Sequence, residues 1–193
     1  MLDQSRQWGT SLREIRRDHV KRYEFASKYA KGRTLDAACG CGYGSSILHE
    51  ATQDVVGVDY NSDALSWAKR HFRGPNYIYG RIEESPWEGK FETIVSLETI
   101  EHIQNPKEAL KAFWRACVGK LVVSVPNEDR YPFYPEKFKD DDSPHFRHYR
   151  PYELEELLRE CGFEVVERFC QVSKHLPDLV PGTDGAFLVY VCV

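Results

Sequence analysis

The chain has 193 residues, of which 41% are hydrophobic and 29% charged, and its formal net charge is −4. This length allows one sizeable hydrophobic core, so we expect a single domain over residues 1–193. Nucleic-acid-binding proteins usually have a basic surface, and the slightly acidic overall charge of this chain does not indicate one.

The six cysteines contain no C-x-x-C pair that would indicate a zinc site, and no apolar run approaches the ~18 residues of a membrane span. We therefore expect reduced thiols, a cytoplasmic location and no membrane span. Five basic residues cluster near the start: Arg13, Arg16, Arg17, Lys21 and Arg22. They point around more than one face of a helix, which favours a solvated helix over a basic binding patch.

The first predicted element is a helix over residues 10–31, within an N-terminal helical segment 1–31. A short strand over 33–38, a helix over 45–51, a strand over 54–59 and a helix over 61–72 follow. Residues 77–80 and 91–97 are predicted strands. A helix from Asn105 to about Cys117 is expected to stop at Gly119, before a strand over 120–126. A helix over 150–163 and two strands, 164–172 and 186–193, complete the chain.

This alternation predicts an α/β fold with a doubly wound, mostly parallel sheet covered on both faces. The last two strands have no helix between them, so one of them is predicted to be antiparallel. The long segment 127–149 is rich in proline and aromatic residues, as lid loops often are. Tyr131, Phe133, Tyr134 and Phe138 are its candidate contacts to a ring-shaped substrate; ordinary surface packing is the alternative.

The stretch TLDAACGCGYGS is the strongest local signal. Gly40, Gly42 and Gly44 follow a strand and open a helix, where the backbone turns sharply and a ligand can approach closely. Asp59 ends the next strand about 20 residues later, where a carboxylate can accept hydrogen bonds from ribose hydroxyls. Because the glycine spacing does not match G-x-G-x-x-G, a dinucleotide fits poorly. The pattern indicates another nucleoside-containing cofactor.

At these residues the chain resembles the class I S-adenosylmethionine-dependent methyltransferases. The resemblance rests on LDAACGCGYGS, VVGVDYN and FETIVSLETIEHI, and it covers nearly the whole chain. It implies a seven-stranded Rossmann-like sheet with an antiparallel C-terminal strand, and S-adenosyl-L-methionine as cofactor. A non-catalytic cofactor-binding module on the same fold is the alternative from another functional class.

The resemblance also implies cofactor contacts. On the methionine side they are Arg22 or Tyr23, Asp36, Ala38, Cys39, Gly40 and Gly42. Asp59 would hold the ribose, and Tyr60, Arg81 and Ile82 would lie around the adenine. Arg81 stands where the family usually has an acidic residue, and Glu83 is its possible substitute. Ser96 and Leu97 would face the cofactor from the end of the fourth strand.

The motif ETIEH follows that strand. If a helical turn starts at residue 98, then Glu98, Glu101 and His102 share one face at the carboxyl edge of the sheet. With a later histidine, E-x-x-E-H resembles metal-dependent O-methyltransferases of ubiquinone biosynthesis and small-RNA 3′-terminal 2′-O-methyltransferases. The later histidine aligns with His145 rather than His148. Arg150 replaces the Ser or Thr that often caps the next helix.

Two interpretations of this cluster remain open. Glu98, Glu101, His102 and His145 hold a divalent cation, with Mg²⁺, Mn²⁺, Fe²⁺ and Zn²⁺ all compatible with such ligands. Alternatively, His102 or His145 acts as a general base without metal, oriented by Glu98 and Glu101. Either way we predict O-methylation of a small molecule, sugar or glycan end. N-methylation is the nearest rival, and the acidic residues Asp140, Asp141 and Asp142 argue against RNA.

Overall fold

The computed structural model describes residues 7–84, 88–138 and 144–193. Across these ranges the α-helices are Arg17–Ala26 (α1), Tyr43–Thr52 (α2), Ser62–His71 (α3), Pro106–Ala116 (α4) and Pro151–Glu160 (α5). The strands are Thr34–Ala37 (β1), Val55–Asp59 (β2), Asn76–Tyr79 (β3), Phe91–Leu97 (β4), Cys117–Pro126 (β5), Val165–Ser173 (β6), Leu176–Pro181 (β7) and Phe187–Cys192 (β8). Short 3-10 helices lie at Leu12–Glu14, Ile82–Glu84, Ile100–His102 and Pro135–Lys137. The predicted α/β class is confirmed.

The described strands form one eight-stranded sheet in the order β3-β2-β1-β4-β5-β8-β6-β7. Strands β1 to β5 pair in parallel, and β8 lies antiparallel between β5 and β6. The doubly wound, mostly parallel arrangement is therefore confirmed, but the count of seven strands is wrong. The additional strand, β7, pairs antiparallel with β6. It contains Pro177 and Pro181, which disfavour a strand assignment from sequence but are tolerated on an edge strand.

The core has two layers, one on each face of the sheet. Successive residues of β5 alternate between them: Leu121 packs with α4 and α5, and Val122 with α1 and α2. Strands β1 and β2 are buried along their whole length, because helices cover both faces. This covering leaves the carboxyl edge of the parallel strands as the place where a ligand can enter.

Two predicted boundaries are wrong. The helix expected over 10–31 is a 3-10 turn followed by the shorter α1. Gly119 does not stop a helix but lies inside β5, where a Cβ would collide with the backbone carbonyl of Glu92 on β4. Among the described helices, none combines the length and apolar character needed to cross a bilayer.

The expectation of a fully solvated basic helix is also wrong at one position. Arg22 is 1% exposed, whereas Arg13, Arg16 and Arg17 are exposed. The Arg22 guanidinium donates to the side-chain oxygen of Gln171 on β6 (2.5 Å) and lies 4.7 Å from the Phe187 ring centroid. Tertiary contacts with the C-terminal strands therefore draw one member of the cluster into the interior.

Candidate active site

A cavity of about 1070 Å³ opens at the carboxyl edge of the sheet. Residues that follow four parallel strands line it: 38–41 after β1, 58–60 at the end of β2, 80–83 after β3 and 97–99 at the end of β4. The other walls come from α1, from residues 131, 138 and 144–146, and from the β6–β7 turn. Parallel topology thus brings the separate sequence motifs to one place.

The turn after β1 is held against Asp59 by a direct hydrogen bond. The backbone N–H of Gly40, which has φ of 53°, donates to Asp59 Oδ2 across 2.8 Å. The backbone N–H of Asn61 donates to Asp59 Oδ1 at the same distance. Two backbone donors fix the carboxylate at the cavity wall, so it can accept hydrogen bonds from a ligand without reorganising.

Glycine is needed at positions 40, 42 and 44 for different structural reasons. Gly40 lines the cavity, whereas Gly42 does not. A Cβ on Gly42 would meet Ala68 Cβ at 2.5 Å, and a Cβ on Gly44 would overlap the Tyr23 ring. Gly42 and Gly44 therefore allow helix and side-chain packing behind the turn, and the close ligand approach expected from sequence concerns Gly40.

Asp36 lies beneath the turn and not on the cavity surface. It is completely buried and accepts hydrogen bonds from Ser45 Oγ (2.6 Å) and the Tyr23 hydroxyl (3.0 Å). Burial raises the pKa of Asp36 to about 6; the two hydrogen bonds oppose the rise and the Asp59 charge adds to it. Asp36 thus anchors Tyr23 and α2 behind the turn.

The residues that follow β2 and β3 also line the cavity: Tyr60, Arg81, Ile82 and Glu83. The Arg81 guanidinium lies 5.3 Å from the Tyr60 ring centroid and 3.8 Å from a Glu83 carboxylate oxygen. Leu97 lines the cavity, but Ser96 is fully buried behind it. Of the predicted cofactor contacts, Asp36, Gly42 and Ser96 therefore lie outside the lining.

Several lining residues were not anticipated from sequence. They are Arg16, His19, Cys41, Tyr43, Thr99, Phe146, Lys174, His175 and Phe187. His19 Nδ1 lies 3.1 Å from the Tyr43 hydroxyl, and burial followed by the Arg22 charge lowers its pKa to about 3. Lys174 and His175 lie in the β6–β7 turn. This turn was not predicted, because the prolines of β7 disfavour a strand assignment from sequence.

The predicted four-residue cluster is a group of three in the described part of the chain. Ligand atoms of Glu101, His102 and His145 all lie within 4.8 Å of one another. Glu98 is outside this group, because it has φ of 51° and its carboxylate accepts a 2.7 Å hydrogen bond from Ser124 Oγ. The 3-10 helix starts at Ile100, so the single face expected for Glu98, Glu101 and His102 is not formed.

Glu101 is the most unusual group of the site. It is 0% exposed, and neither carboxylate oxygen makes a hydrogen bond within the described residues. Burial, followed by the neighbouring Glu98 charge, raises its pKa well above the usual value; the nearby backbone amides of Glu101 and Thr99 oppose this rise. A buried carboxyl group without partners calls for a proton or a cation.

The later histidine reaches Glu101 because its segment is bonded to the 3-10 helix. The Phe146 backbone N–H donates to the Glu101 carbonyl (2.8 Å), and His102 Nδ1 lies 3.3 Å from the Pro144 carbonyl. Both His102 and His145 line the cavity, with Glu101 behind them. Burial, followed by repulsion from His102 and His148 when these are protonated, lowers the pKa of His145 to about 3.

Two of the four predicted lid aromatics line the cavity and two do not. Tyr131 and Phe138 line the cavity, and Phe138 stacks on His145 with 4.3 Å between ring centroids. Phe133 packs behind, against Phe138 and His148. Tyr134 is 44% exposed and lies under the Lys137 ammonium instead. The acidic residues 140–142 lie outside the described residues.

The fold and site together define a methyltransferase domain, and comparison with known proteins agrees. The family profile described as "Methyltransferase domain" matches residues 11–168. The chain belongs to this family, that of the class I S-adenosylmethionine-dependent methyltransferases.

Three similar proteins illustrate the relationship. A "Probable S-adenosylmethionine-dependent methyltransferase" of Mycolicibacterium smegmatis is 28% identical over 78% of this chain and 59% of its own length. A ubiquinone biosynthesis O-methyltransferase of Pseudomonas aeruginosa is 29% identical over 69% of this chain and 65% of its own. A Thermotoga maritima structure, a "possible histamine N-methyltransferase", superposes with a TM-score of 0.74 at 22% identity, covering 91% of this chain and 90% of its own. The chain thus spans about three fifths of the length of these curated relatives.

Proposed function

We propose that this chain binds S-adenosyl-L-methionine in the cavity and transfers its methyl group to an oxygen of a small-molecule, sugar or glycan acceptor. The observation that carries the choice of oxygen is the fully buried, unpartnered Glu101 carboxyl beside two imidazoles. An alcohol is a poor nucleophile, so its methylation needs a group that either removes the hydroxyl proton or lowers the pKa of the hydroxyl. A neutral amine is already a good nucleophile, so its methylation depends less on such a cluster.

The cofactor part of the proposal follows the lining of the cavity. Asp59 accepts hydrogen bonds from the ribose hydroxyls, since its carboxylate oxygens are already oriented by backbone N–H donors. Ala38, Cys39 and Gly40 border the methionine portion, with the buried Arg22 guanidinium as the counter-charge for its carboxylate. Tyr60, Arg81 and Ile82 border the adenine, and Asp36, Gly42 and Ser96 support these contacts from behind the wall.

The donor set of the cluster fits a divalent cation, with Glu101, His102 and His145 as its ligands. Glu98 is not included among the ligands, because its carboxylate already accepts a hydrogen bond from the Ser124 hydroxyl. When bound, such a cation would lower the pKa of an acceptor hydroxyl and orient it. In the absence of metal the imidazoles of His102 and His145 are placed to accept the hydroxyl proton, and Glu101 to orient them.

The aromatic residues that line the cavity indicate the shape of the acceptor. Tyr131, Phe138, Phe146 and Phe187 all line the cavity. Phe138 stacks on His145, and the Tyr131 ring centroid lies 6.2 Å from that of Phe187. Aromatic faces pack well against planar rings and the apolar faces of sugars. The relative named for ubiquinone biosynthesis supports an oxygen acceptor at this family level. RNA remains the disfavoured acceptor, now on the net charge of −4 alone.

Methyl transfer to a matched panel of acceptors tests this proposal. A catechol, a sugar with a vicinal diol and histamine are incubated with S-adenosylmethionine, and S-adenosylhomocysteine release is measured with EDTA and with added Mg²⁺ or Mn²⁺. We expect turnover with an oxygen acceptor that chelation abolishes and metal restores. Turnover on histamine that resists chelation contradicts both the oxygen acceptor and the metal. Cofactor binding without turnover on any acceptor in the panel favours the regulatory module.

A further inference from the structure

A chain of hydrogen bonds extends from the cluster into the interior through a second histidine. His145 Nδ1 lies 2.8 Å from His148 Nε2, and His148 Nδ1 lies 2.6 Å from the backbone carbonyl oxygen of Tyr131. His148 is only 6% exposed. It does not line the cavity and has no role in the proposed function.

The two distances determine where the protons lie. A carbonyl oxygen can only accept, so His148 Nδ1 carries a hydrogen and donates to Tyr131. A neutral imidazole carries a single ring hydrogen, so with Nδ1 donating to Tyr131 the Nε2 atom of His148 is an acceptor. His145 Nδ1 must then carry the hydrogen of the 2.8 Å bond, and the neutral His145 ring is left with a lone pair on Nε2.

The ring of His148 is also fixed mechanically. Its centroid lies 5.1 Å from that of Tyr131, 5.3 Å from that of Phe133 and 5.8 Å from that of Phe138. The ring therefore has little freedom to rotate away from His145. Metal-binding histidines commonly donate their second ring N–H to a fixed acceptor, and such outer partners set the tautomer and orientation of the ligand.

We infer that His148 is a positioning residue, which holds His145 as the Nδ1–H tautomer and so leaves the Nε2 lone pair available to a cation or a proton. The role in cation binding rests on the proposed function, but the tautomer itself does not. The inference also explains why two histidines, three residues apart, occur in this segment: His145 borders the cavity, and His148 connects it to the Tyr131 backbone.

Two substitutions at residue 148 separate this role from simple packing. His148→Phe keeps a ring between Tyr131 and Phe133 but removes the acceptor for His145. His148→Gln places an amide oxygen near the position of Nε2 and can restore that acceptor. Two readouts are taken: the tautomer of His145 in the metal-free protein by long-range ¹H–¹⁵N NMR, and Co²⁺ affinity from the visible spectrum. S-adenosylhomocysteine affinity checks that each variant is folded.

We expect His145 to be the Nδ1–H tautomer in the wild type and in His148→Gln, and to shift toward Nε2–H in His148→Phe. Co²⁺ affinity should fall roughly 10- to 100-fold in His148→Phe and recover in His148→Gln. A wild-type His145 protonated on Nε2, or a tautomer unchanged in His148→Phe, overturns the inference. If the wild type binds no Co²⁺ while the tautomers behave as expected, the cation proposal fails and the positioning role stands.

Discussion

The backbone N–H of Phe146 donates to the backbone carbonyl of Glu101 across 2.8 Å, which joins the segment after β5 to the turn after β4. The parallel bridge between Asn127 and Tyr149 closes the same loop at its base. Both contacts are made by the backbone, and together they hold His145 beside Glu101. The chemistry of the cluster therefore depends on this tertiary connection.

Glu101→Gln should separate stability from function. The folded-state pKa of Glu101 is raised, so the stability of the metal-free protein is highest below the unfolded value and falls as pH rises toward the folded one. Removing the charge should make the metal-free variant more resistant to urea than the wild type at pH 8. Cation affinity should fall by more than the roughly 10- to 100-fold typical of outer-shell changes.

Urea denaturation with and without Mn²⁺ measures both effects. Mn²⁺ should stabilise the wild type and leave Glu101→Gln unchanged, and S-adenosylhomocysteine affinity should be the same in both. Glu164→Gln, an exposed substitution of the same type, is the control. Equal Mn²⁺ stabilisation of wild type and Glu101→Gln would show that this carboxylate is not a ligand.

Asp59→Ala should weaken cofactor binding, because it removes the acceptor for the ribose hydroxyls and leaves the Gly40 N–H without its 2.8 Å partner. We expect a loss of about 1–3 kcal/mol, which is roughly 5- to 150-fold in Kd. Titration calorimetry with S-adenosylhomocysteine measures it. Asp63→Ala, at an exposed aspartate of α3, should keep wild-type affinity. A Kd for Asp59→Ala within twofold of wild type rules out the ribose assignment.

Asp36→Asn should change how stability depends on pH. The pKa of Asp36 is raised from 3.8 to about 6, so the folded state binds the proton more tightly than the unfolded state. Its contribution is fully present below the unfolded pKa and is lost as pH rises through 6, a change on the order of 3 kcal/mol. Asp36→Asn removes this loss.

The free energy of unfolding of both proteins, measured in urea at pH 4.5 and 7.5, tests this. The variant should gain stability relative to the wild type between the two pH values. Asp54→Asn, an exposed aspartate just before β2, should not. A parallel pH dependence of Asp36→Asn and wild type would mean that the buried carboxyl is ionised without cost.

Gly44→Ala should destabilise the fold by about 1–3 kcal/mol, because the new methyl group overlaps the Tyr23 ring and cannot be accommodated without displacing it. Gly80→Ala is the matched control, since its Cβ would meet only Val58 Cγ1 at 3.9 Å. Thermal unfolding of the two variants makes the comparison. Equal melting temperatures would show that Tyr23 moves freely, and that Gly44 is not required for packing.

Much of the site was predictable from local pattern. Gly40 and Asp59 are each determined by a strand, a turn and a helix that the sequence encodes within a few residues. Their proximity then follows from the parallel pairing of β1 and β2, which places both turns at the same edge. The order of strands and helices was accessible for the same reason, and the resemblance of the three motifs to those of a known family indicated the family.

The cluster was only partly predictable. Residue spacing proposed that Glu98 shares a face with Glu101 and His102, but Glu98 adopts a left-handed backbone and bonds to Ser124 on β5. Nothing local to ETIEH encodes Ser124. Likewise, Arg22 reads as one of five surface cations, and becomes buried because Gln171 and Phe187 of the C-terminal strands enclose it.

The sequence by itself determined the alternation of strands and helices and the glycine turn with its acidic partner, and its resemblance to a known family indicated His145 rather than His148 as the later histidine of the cluster. Only the tertiary structure decided that β7 completes the sheet, that Gly44 serves Tyr23 rather than a ligand, and that His148 bonds His145. The physical reason is range. Periodicity and turn chemistry act between neighbours along the chain, whereas edge pairing, burial and the hydrogen bond between two loops depend on residues that meet only after folding.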